Sequence, residues 1–136
     1  MKHIYYREGY KYQLAKEYAI KIDIKPISDI FTDYINLSIY GWLVIKAGYA
    51  WDGPSGPAID TKNFMRGSLV HDALYALMRE GKLDRCHKDD ADRILEQLCK
   101  EDGMWGIRAW WVYVGVSKFG AKATTEEGEN PTVRAP

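Results

Sequence analysis

The stretch FMRGSLVHDALYAL, residues 64–77, decides the architecture that this chain is expected to adopt. Its apolar positions follow helical spacing, so they share one face of an amphipathic helix. We predict that Asp60 or Thr61 caps this helix, that it runs to about Glu80, and that Gly81 ends it. The predicted core face consists of Phe64, Leu69, Ala73, Leu74 and Leu77.

Two more helices are predicted downstream of this stretch. One runs from about Lys88 to Glu101, and the other, which is rich in tryptophan, runs from about Met104 to Phe119. Both keep an apolar face that needs a partner, so we expect three helices to pack together. The inward face of the second helix is expected to hold Ala91, Ile94, Leu95, Leu98 and Cys99.

The residues upstream alternate between apolar and polar side chains, which is the pattern of half-buried strands. The alternation extends through residues 5–24 and 34–40, and residues 42–45 continue it after Gly41. Residues 48–57, with three glycines and two prolines, are predicted to be a loop. The sequence therefore predicts an α+β fold, in which an N-terminal antiparallel β-sheet packs on three C-terminal α-helices.

Size and charge narrow the classes of function. We expect residues 1–120 of this 136-residue chain to form a single domain, followed by residues 121–136 as a mobile tail. Lys and Arg together number 19, as do Asp and Glu, so no overall basic field indicates a nucleic-acid partner. The first residues lack the apolar segment of a signal peptide, and the longest apolar stretch, residues 109–116, is far below the roughly 20 residues of a transmembrane helix.

His71 and Asp72 are the candidate functional residues of the first predicted helix. An imidazole can act as a general base near neutral pH, and a carboxylate is a ligand for a hard cation. Tyr75 lies four residues after His71 and shares its helix face. Asp92, on the next helix, is expected to orient the imidazole as the second member of a dyad. A structural alternative stays open, because buried polar side chains that satisfy each other can specify a fold without catalysing a reaction.

The loop before this helix supplies further candidate metal ligands. A flexible glycine loop can direct carbonyl oxygens at a cation, so we predict that Gly53 and Gly56 complete a metal site with Asp72. Asp52 is another candidate ligand, although Asp before Gly is also ordinary turn chemistry.

The pattern His71-Asp72-x-x-Tyr75, with a glycine-containing loop before it and an aspartate on the following helix, resembles the secreted phospholipase A2 superfamily. The match is closest to the disulfide-free versions found in parvoviral capsid proteins, and it covers about residues 49–99. The resemblance implies calcium-dependent ester hydrolysis. His71 would deprotonate a water molecule and Asp72 would bind Ca²⁺. Asp92 would orient His71, and the Tyr75 hydroxyl would support Asp92.

A second resemblance covers more of the chain. Residues 48–53 (Gly-Tyr-Ala-Trp-Asp-Gly), residues 68–75 (Ser-Leu-Val-His-Asp-Ala-Leu-Tyr) and Ala91-Asp92 are similar to small uncharacterised proteins of tailed phages and prophages. This resemblance implies a phage or prophage origin and a location in the host cytoplasm or the virion, but no established activity. Residues 49–53 also depart from the phospholipase pattern, because they lack the first glycine of its calcium loop.

Two functions are therefore left open. One is calcium-dependent hydrolysis of an ester, with a phospholipid or membrane surface as the partner. The other is a non-enzymatic phage accessory protein, either a virion component or an inhibitor of host defence, which binds a phage or host protein and uses the His-Asp-Tyr network structurally. The aromatic residues of the third helix fit either a core or a lipid interface; they are Trp105, Trp110, Trp111 and Tyr113.

Overall fold

The computed structural model describes residues 3–7, 12–51 and 62–119. Within them, short strands precede three helices, which confirms the predicted α+β fold. The strands are β1 (Tyr6–Arg7), β2 (Tyr12–Leu14), β3 (Tyr18–Lys21), β4 (Ile30–Phe31), β5 (Ile35–Leu37), β6 (Trp42–Ile45) and β7 (Ala50–Trp51). The helices are α1 (Lys62–Arg79), α2 (Lys88–Glu101) and α3 (Gly106–Phe119). The predicted domain boundary stays a prediction, since residues 121–136 lie outside the described residues.

The described strands form two antiparallel sheets, whereas the alternation predicted one. Strands β1, β2 and β7 make a three-stranded sheet, and β3, β6, β5 and β4 make a four-stranded sheet in that order. The hairpin of β5 and β6 pairs Leu37 with Leu43 and Ile35 with Ile45, and all four side chains are buried. Period-two alternation shows which face of a strand is buried but not which strand is its neighbour, so the division into two sheets could not be predicted.

Strand β7 lies within the segment that was predicted to be a loop. Trp51 pairs with Tyr12 of β2, and its buried indole N–H donates a hydrogen bond of 3.0 Å to the hydroxyl of Ser68 on α1. Burial of a large aromatic side chain with a satisfied N–H is strongly favourable. This contact explains why Ala50 and Trp51, although they lie among residues that favour turns, form a strand that pairs with β2.

Helix α1 is at the centre of the described fold. Its residues are buried from Phe64 to Met78, except for His71 and Asp72, which keep part of their surface exposed. A helix with apolar residues on all sides is normally enclosed by other elements. Here the sheet residues cover one side of α1 and α2 covers another. All five residues predicted for its core face are buried, which confirms that prediction.

Helices α1 and α2 run antiparallel, because early residues of one contact late residues of the other. Arg66 near the start of α1 bonds Glu101 at the end of α2, whereas His71 further along α1 meets Asp92 near the start of α2. Helix α3 then packs on α2. Helices α1 and α2 therefore meet along most of their length, with His71 and Asp92 inside their contact.

The described helix boundaries agree closely with those that the sequence predicts, whereas the predicted caps Asp60 and Thr61 lie outside the described residues. Gly81 follows α1 with a φ of +74°, and the Lys82 N–H closes the helix end on the carbonyl of Leu77. Helix α2 has the predicted bounds, and α3 begins two residues after the predicted Met104. Among the described residues, no helix is both long enough and apolar enough to cross a membrane.

Gly41, which connects β5 to β6, should tolerate no side chain. Its φ is +90°, and a Cβ atom there would lie 2.3 Å from the carbonyl oxygen of Ile22. The Ile22 N–H also donates to the Gly41 carbonyl at 2.8 Å, which holds the two backbones together. We expect Gly41→Ala to lower the free energy of unfolding by about 2–5 kcal/mol in denaturant titration, from left-handed backbone and atomic overlap combined.

Gly81→Ala is the matched control. Gly81 also has a positive φ, but a Cβ atom there would meet nothing within 4 Å. It should therefore lose only about 1–2 kcal/mol, the cost of the left-handed conformation. Equal losses in the two variants would show that the contact of Gly41 with Ile22 is relieved without cost.

Candidate active site

Helices α1 and α2 bring three of the predicted site residues together. Nε2 of His71 lies 2.7 Å from Oδ1 of Asp92, and the Tyr75 hydroxyl donates to the same oxygen at 2.5 Å. His71 and Tyr75 are one turn apart on α1, and the antiparallel α2 places Asp92 opposite them. The structure confirms the predicted contacts, while the catalytic roles of these residues stay a proposal.

Asp92 is a fully buried carboxylate with three side-chain donors. Besides His71 and Tyr75 on Oδ1, Nζ of Lys88 lies 2.8 Å from Oδ2, and no side-chain surface of Asp92 is exposed. Burial alone would raise the pKa of Asp92. The hydrogen bonds from His71, Lys88 and Tyr75 outweigh the effect of burial and hold the pKa of Asp92 below its ordinary value. Asp92 is therefore ionised at neutral pH.

The charge of Asp92 determines which nitrogen of His71 carries the proton. A carboxylate accepts hydrogen bonds and donates none, so Nε2 must be protonated. In the neutral imidazole the lone pair is then on Nδ1, which has no hydrogen-bond partner among the described residues. The side chain keeps 13% of its surface exposed. One nitrogen is thus fixed, and the other is left to accept a proton.

Tyr75 holds both members of the dyad in place. Its ring lies against that of His71, with the ring centroids 4.0 Å apart, and this contact limits rotation of the imidazole. Burial, followed by the hydrogen bond and charge of Asp92, raises the pKa of the Tyr75 hydroxyl. Tyr75 therefore stays protonated and donates to Asp92 whether or not His71 is charged.

Lys88 also belongs to this network, although it was not among the predicted site residues. Its Nζ donates to Asp92 and also lies 3.3 and 3.2 Å from the main-chain carbonyls of Val116 and Ser117 at the end of α3. A positive charge is favourable at a helix C-terminus. The spacing of four residues between Lys88 and Asp92 could have revealed the ion pair. The contact with α3 could not be foreseen, because it depends on how α3 packs.

Asp72, the predicted calcium ligand, accepts a short hydrogen bond from the hydroxyl of Tyr49. Burial and the charge of Asp72 raise the pKa of Tyr49 well above its ordinary value, so the phenol keeps its proton. The backbone of Tyr49 is fixed to β2, because the Leu14 N–H donates to the Tyr49 carbonyl at 2.8 Å and the Gly48 N–H donates to the Leu14 carbonyl at 2.7 Å. Tyr49 and Asp72 are 23 residues apart, and no spacing rule connects them.

Of the predicted calcium ligands, only Asp72 lies among the described residues. Carboxylate oxygens such as those of Asp72 suit a hard cation. Within residues 3–7, 12–51 and 62–119, however, no group of three or more His, Cys, Asp or Glu side chains could hold a metal ion. The other predicted ligands, Asp52, Gly53 and Gly56, lie outside the described residues. The calcium site therefore stays a prediction in which Asp72 is the one ligand whose position is known.

Two clefts of the described surface lie away from this site. Their volumes are about 580 and 530 Å³, and both are lined by Arg66 and Glu101. The buried guanidinium of Arg66 donates to Tyr18, Glu101 and Asp102 at 2.9–3.0 Å. These bonds tie α1 to the end of α2 and to β3, so Arg66 has a clear structural role.

Comparison with protein families identifies the family of the chain. The model of the family described as "Protein of unknown function (DUF1353)" matches residues 32–116, which is more than half of the chain, so the chain belongs to this family. The match includes both helices of the dyad as well as Tyr49. No curated protein and no solved structure matches the chain. The predicted membership of an uncharacterised family is thereby confirmed, whereas its relation to phages and to phospholipases stays a proposal.

Removing the charge of Lys88 should weaken the described fold. In Lys88→Met, Asp92 keeps its bonds from His71 and Tyr75 but loses a cationic partner while it stays buried. We expect the free energy of unfolding to fall by about 1–3 kcal/mol, measured by denaturant titration at neutral pH. Lys82→Met is the control, because Lys82 is exposed in the connection between α1 and α2; its effect should stay within about 0.5 kcal/mol.

The double variant Lys88→Met/Asp92→Asn tests whether the two side chains act as a pair. If they do, the second substitution costs less in the presence of the first, by roughly 0.5–3 kcal/mol. Strictly additive losses would show that the 2.8 Å contact contributes no coupling.

Proposed function

We propose that this protein is a hydrolase in which His71 acts as a general base on a water molecule, and that its substrate is the ester bond of a phospholipid. The observation that carries the proposal is the 2.7 Å contact between Nε2 of His71 and the buried carboxylate of Asp92. This contact directs the lone pair of the imidazole to Nδ1. The resemblance of His71-Asp72-x-x-Tyr75 to the secreted phospholipase A2 superfamily supports the choice of reaction and substrate.

The proposed reaction follows from the protonation state of His71. Nδ1 takes a proton from water as the water oxygen attacks the carbonyl carbon of the ester. The buried carboxylate of Asp92 stabilises the imidazolium that forms. When the tetrahedral intermediate collapses, the bond to the alcohol oxygen breaks and Nδ1 returns its proton to that oxygen. Asp92 and Tyr75 are positioning residues in this scheme, because they act through His71.

Calcium is the proposed cofactor of the reaction. When bound, it would polarise the ester carbonyl and stabilise the oxyanion. Asp72 would hold it, together with the proposed ligands Asp52, Gly53 and Gly56. Because Asp72 accepts a hydrogen bond from Tyr49, the cation and the phenol have to share or compete for this carboxylate.

One observation favours a second candidate function. Lys88 binds the Asp92 oxygen that His71 and Tyr75 leave free, so the carboxylate is paired on both oxygens. A buried network of this kind can fix helix packing without any catalysis. The protein would then be a non-enzymatic accessory protein, either a virion component or an inhibitor of host defence, that binds a phage or host protein. The resemblance of residues 48–53 and 68–75 to tailed-phage and prophage proteins supports a phage or prophage origin under either function.

His71→Gln separates the two functions. Glutamine keeps a polar side chain but cannot act as a base at neutral pH. If the dyad is catalytic, fatty-acid release from mixed phospholipid vesicles should fall by roughly a hundredfold or more, with little change in melting temperature. His87→Gln is the matched control, because His87 lies outside the dyad and its side chain is 25% exposed; that variant should keep full activity.

A second variant, Asp92→Ala, measures how much the network of His71, Tyr75 and Asp92 contributes to the free energy of unfolding. It leaves the imidazole and the Tyr75 hydroxyl without their buried acceptor, which should cost about 1–3 kcal/mol of unfolding free energy. A wild-type protein that is inert on every lipid tested, combined with a clear stability loss in Asp92→Ala, would favour the accessory-protein function and rule out the hydrolase.

Calcium binding should be measurable by titration calorimetry. We expect wild type to bind Ca²⁺ more tightly than Mg²⁺, because flexible all-oxygen ligands suit the larger cation. Asp72→Asn should abolish the binding, and Tyr49→Phe should retain or strengthen it, since the phenol no longer competes for Asp72. Absence of binding at millimolar Ca²⁺ would remove calcium from the mechanism and most of the support for a phospholipase.

A further inference from the structure

Helix α3 has two apolar faces, and only one of them is covered by the described residues. Ala109, Val112 and Val116 pack toward α2, where they join a cluster with Leu95 and other buried side chains. The opposite side is exposed, and Trp111 keeps 62% of its surface accessible. We use the name α3 aromatic surface for the exposed residues Ile107, Trp110 and Trp111 of this side, together with the exposed Trp105 that directly precedes the helix.

Three of the four side chains of the α3 aromatic surface are tryptophans. An indole has an apolar body and a polar N–H, which is why tryptophan is enriched at the boundary between water and lipid. Trp110 and Trp111 lie edge to face, with ring centroids 5.2 Å apart. In the part of the chain that the structure describes, the indole N–H groups of Trp105, Trp110 and Trp111 have no acceptor.

The charged residues of α3 itself are both basic. The chain as a whole has no formal net charge, yet within α3 the charged residues are Arg108 and Lys118. The acidic side chain bonded to the described part of α3 is Asp89 of α2, which accepts a hydrogen bond from Tyr113. Lys118 is exposed and lies seven residues after Trp111, so it is on the same side of the helix. Basic residues beside exposed aromatic side chains complement the headgroups of anionic lipids.

From these observations we infer that the α3 aromatic surface docks on an anionic phospholipid bilayer, with the indole rings at the headgroup level and Lys118 against lipid phosphates. The inference adds a membrane-binding surface to the proposed function. It rests on the proposed function only where it takes the lipid as the substrate. The geometry connects the two sites, because Lys88 bonds both Asp92 of the dyad and the carbonyls at the end of α3. A docked α3 would hold the dyad near the membrane surface.

Co-sedimentation with vesicles tests the docking directly. Wild type should bind vesicles of phosphatidylglycerol and phosphatidylcholine, and should bind pure phosphatidylcholine more weakly. The double variant Trp110→Ser/Trp111→Ser should lower the partition coefficient by at least about tenfold, because it removes two interfacial side chains. Lys118→Glu should weaken binding to the anionic vesicles, and added salt should reduce this difference.

Trp42→Ser is the matched control, because Trp42 on β6 is exposed to nearly the same degree as Trp110, at 48% and 50%. It should bind vesicles as wild type does. Vesicle binding that is absent in wild type, or unchanged in Trp110→Ser/Trp111→Ser, would overturn the inference. So would a dimer seen by sedimentation velocity that the double variant abolishes in the absence of vesicle binding, since the surface would then be a protein interface.

The docking and the hydrolysis can fail separately. His71→Gln should bind vesicles as wild type does, because His71 is not part of the α3 aromatic surface. Vesicle binding without fatty-acid release would support the docking and remove the hydrolase. Hydrolysis of a soluble short-chain phospholipid by a wild type that binds no vesicles would remove the docking and leave the hydrolase.

Discussion

The buried negative charge of Asp92 is the constraint on which the helical half of the structure depends. A carboxylate without exposed surface is stable only when it is paired. Its donors come from both helices of the contact, His71 and Tyr75 from α1 and Lys88 from α2, and Lys88 extends the network to the carbonyls of α3. If α1 slid along α2, Asp92 would lose the hydrogen bonds from His71 and Tyr75 and keep only Lys88 of its own helix, so this buried carboxylate favours the observed register.

The same network would affect the stability of the fold and the proposed base catalysis in opposite ways. Lys88 neutralises Asp92 and so favours the folded state, but it also offsets part of the negative charge that would stabilise a protonated His71. A purely structural network has no need for an accessible imidazole nitrogen. His71 nevertheless keeps 13% of its side chain exposed. The proposed role as a base requires that Nδ1 lie within this exposed part of the imidazole.

The sequence predicted what depends on local spacing and missed what depends on distant pairing. The bounds of α2 and the buried face of α1 follow from helical periodicity, and the contact of His71 with Asp92 follows from two helices joined by a short connection. Lys88 was within reach of the same spacing argument. The spacing argument could not predict three other features: the division into two sheets, strand β7 and the hydrogen bond from Tyr49 to Asp72. Alternation along a strand does not encode which segments pair across the fold.

The two aspartates of the candidate site differ in what fixes them. Asp92 is held by three donors inside a helix contact, so the position of His71 is coupled to the packing of α1, α2 and α3. Asp72 is half-buried, and the Tyr49 phenol that binds it is carried by a turn bonded to β2. A change at Asp72 is therefore transmitted to the sheet, and a change at His71 to the helices. The proposed mechanism would use this division, because a general base has to be fixed in advance while a cation ligand has to adjust as the cation binds.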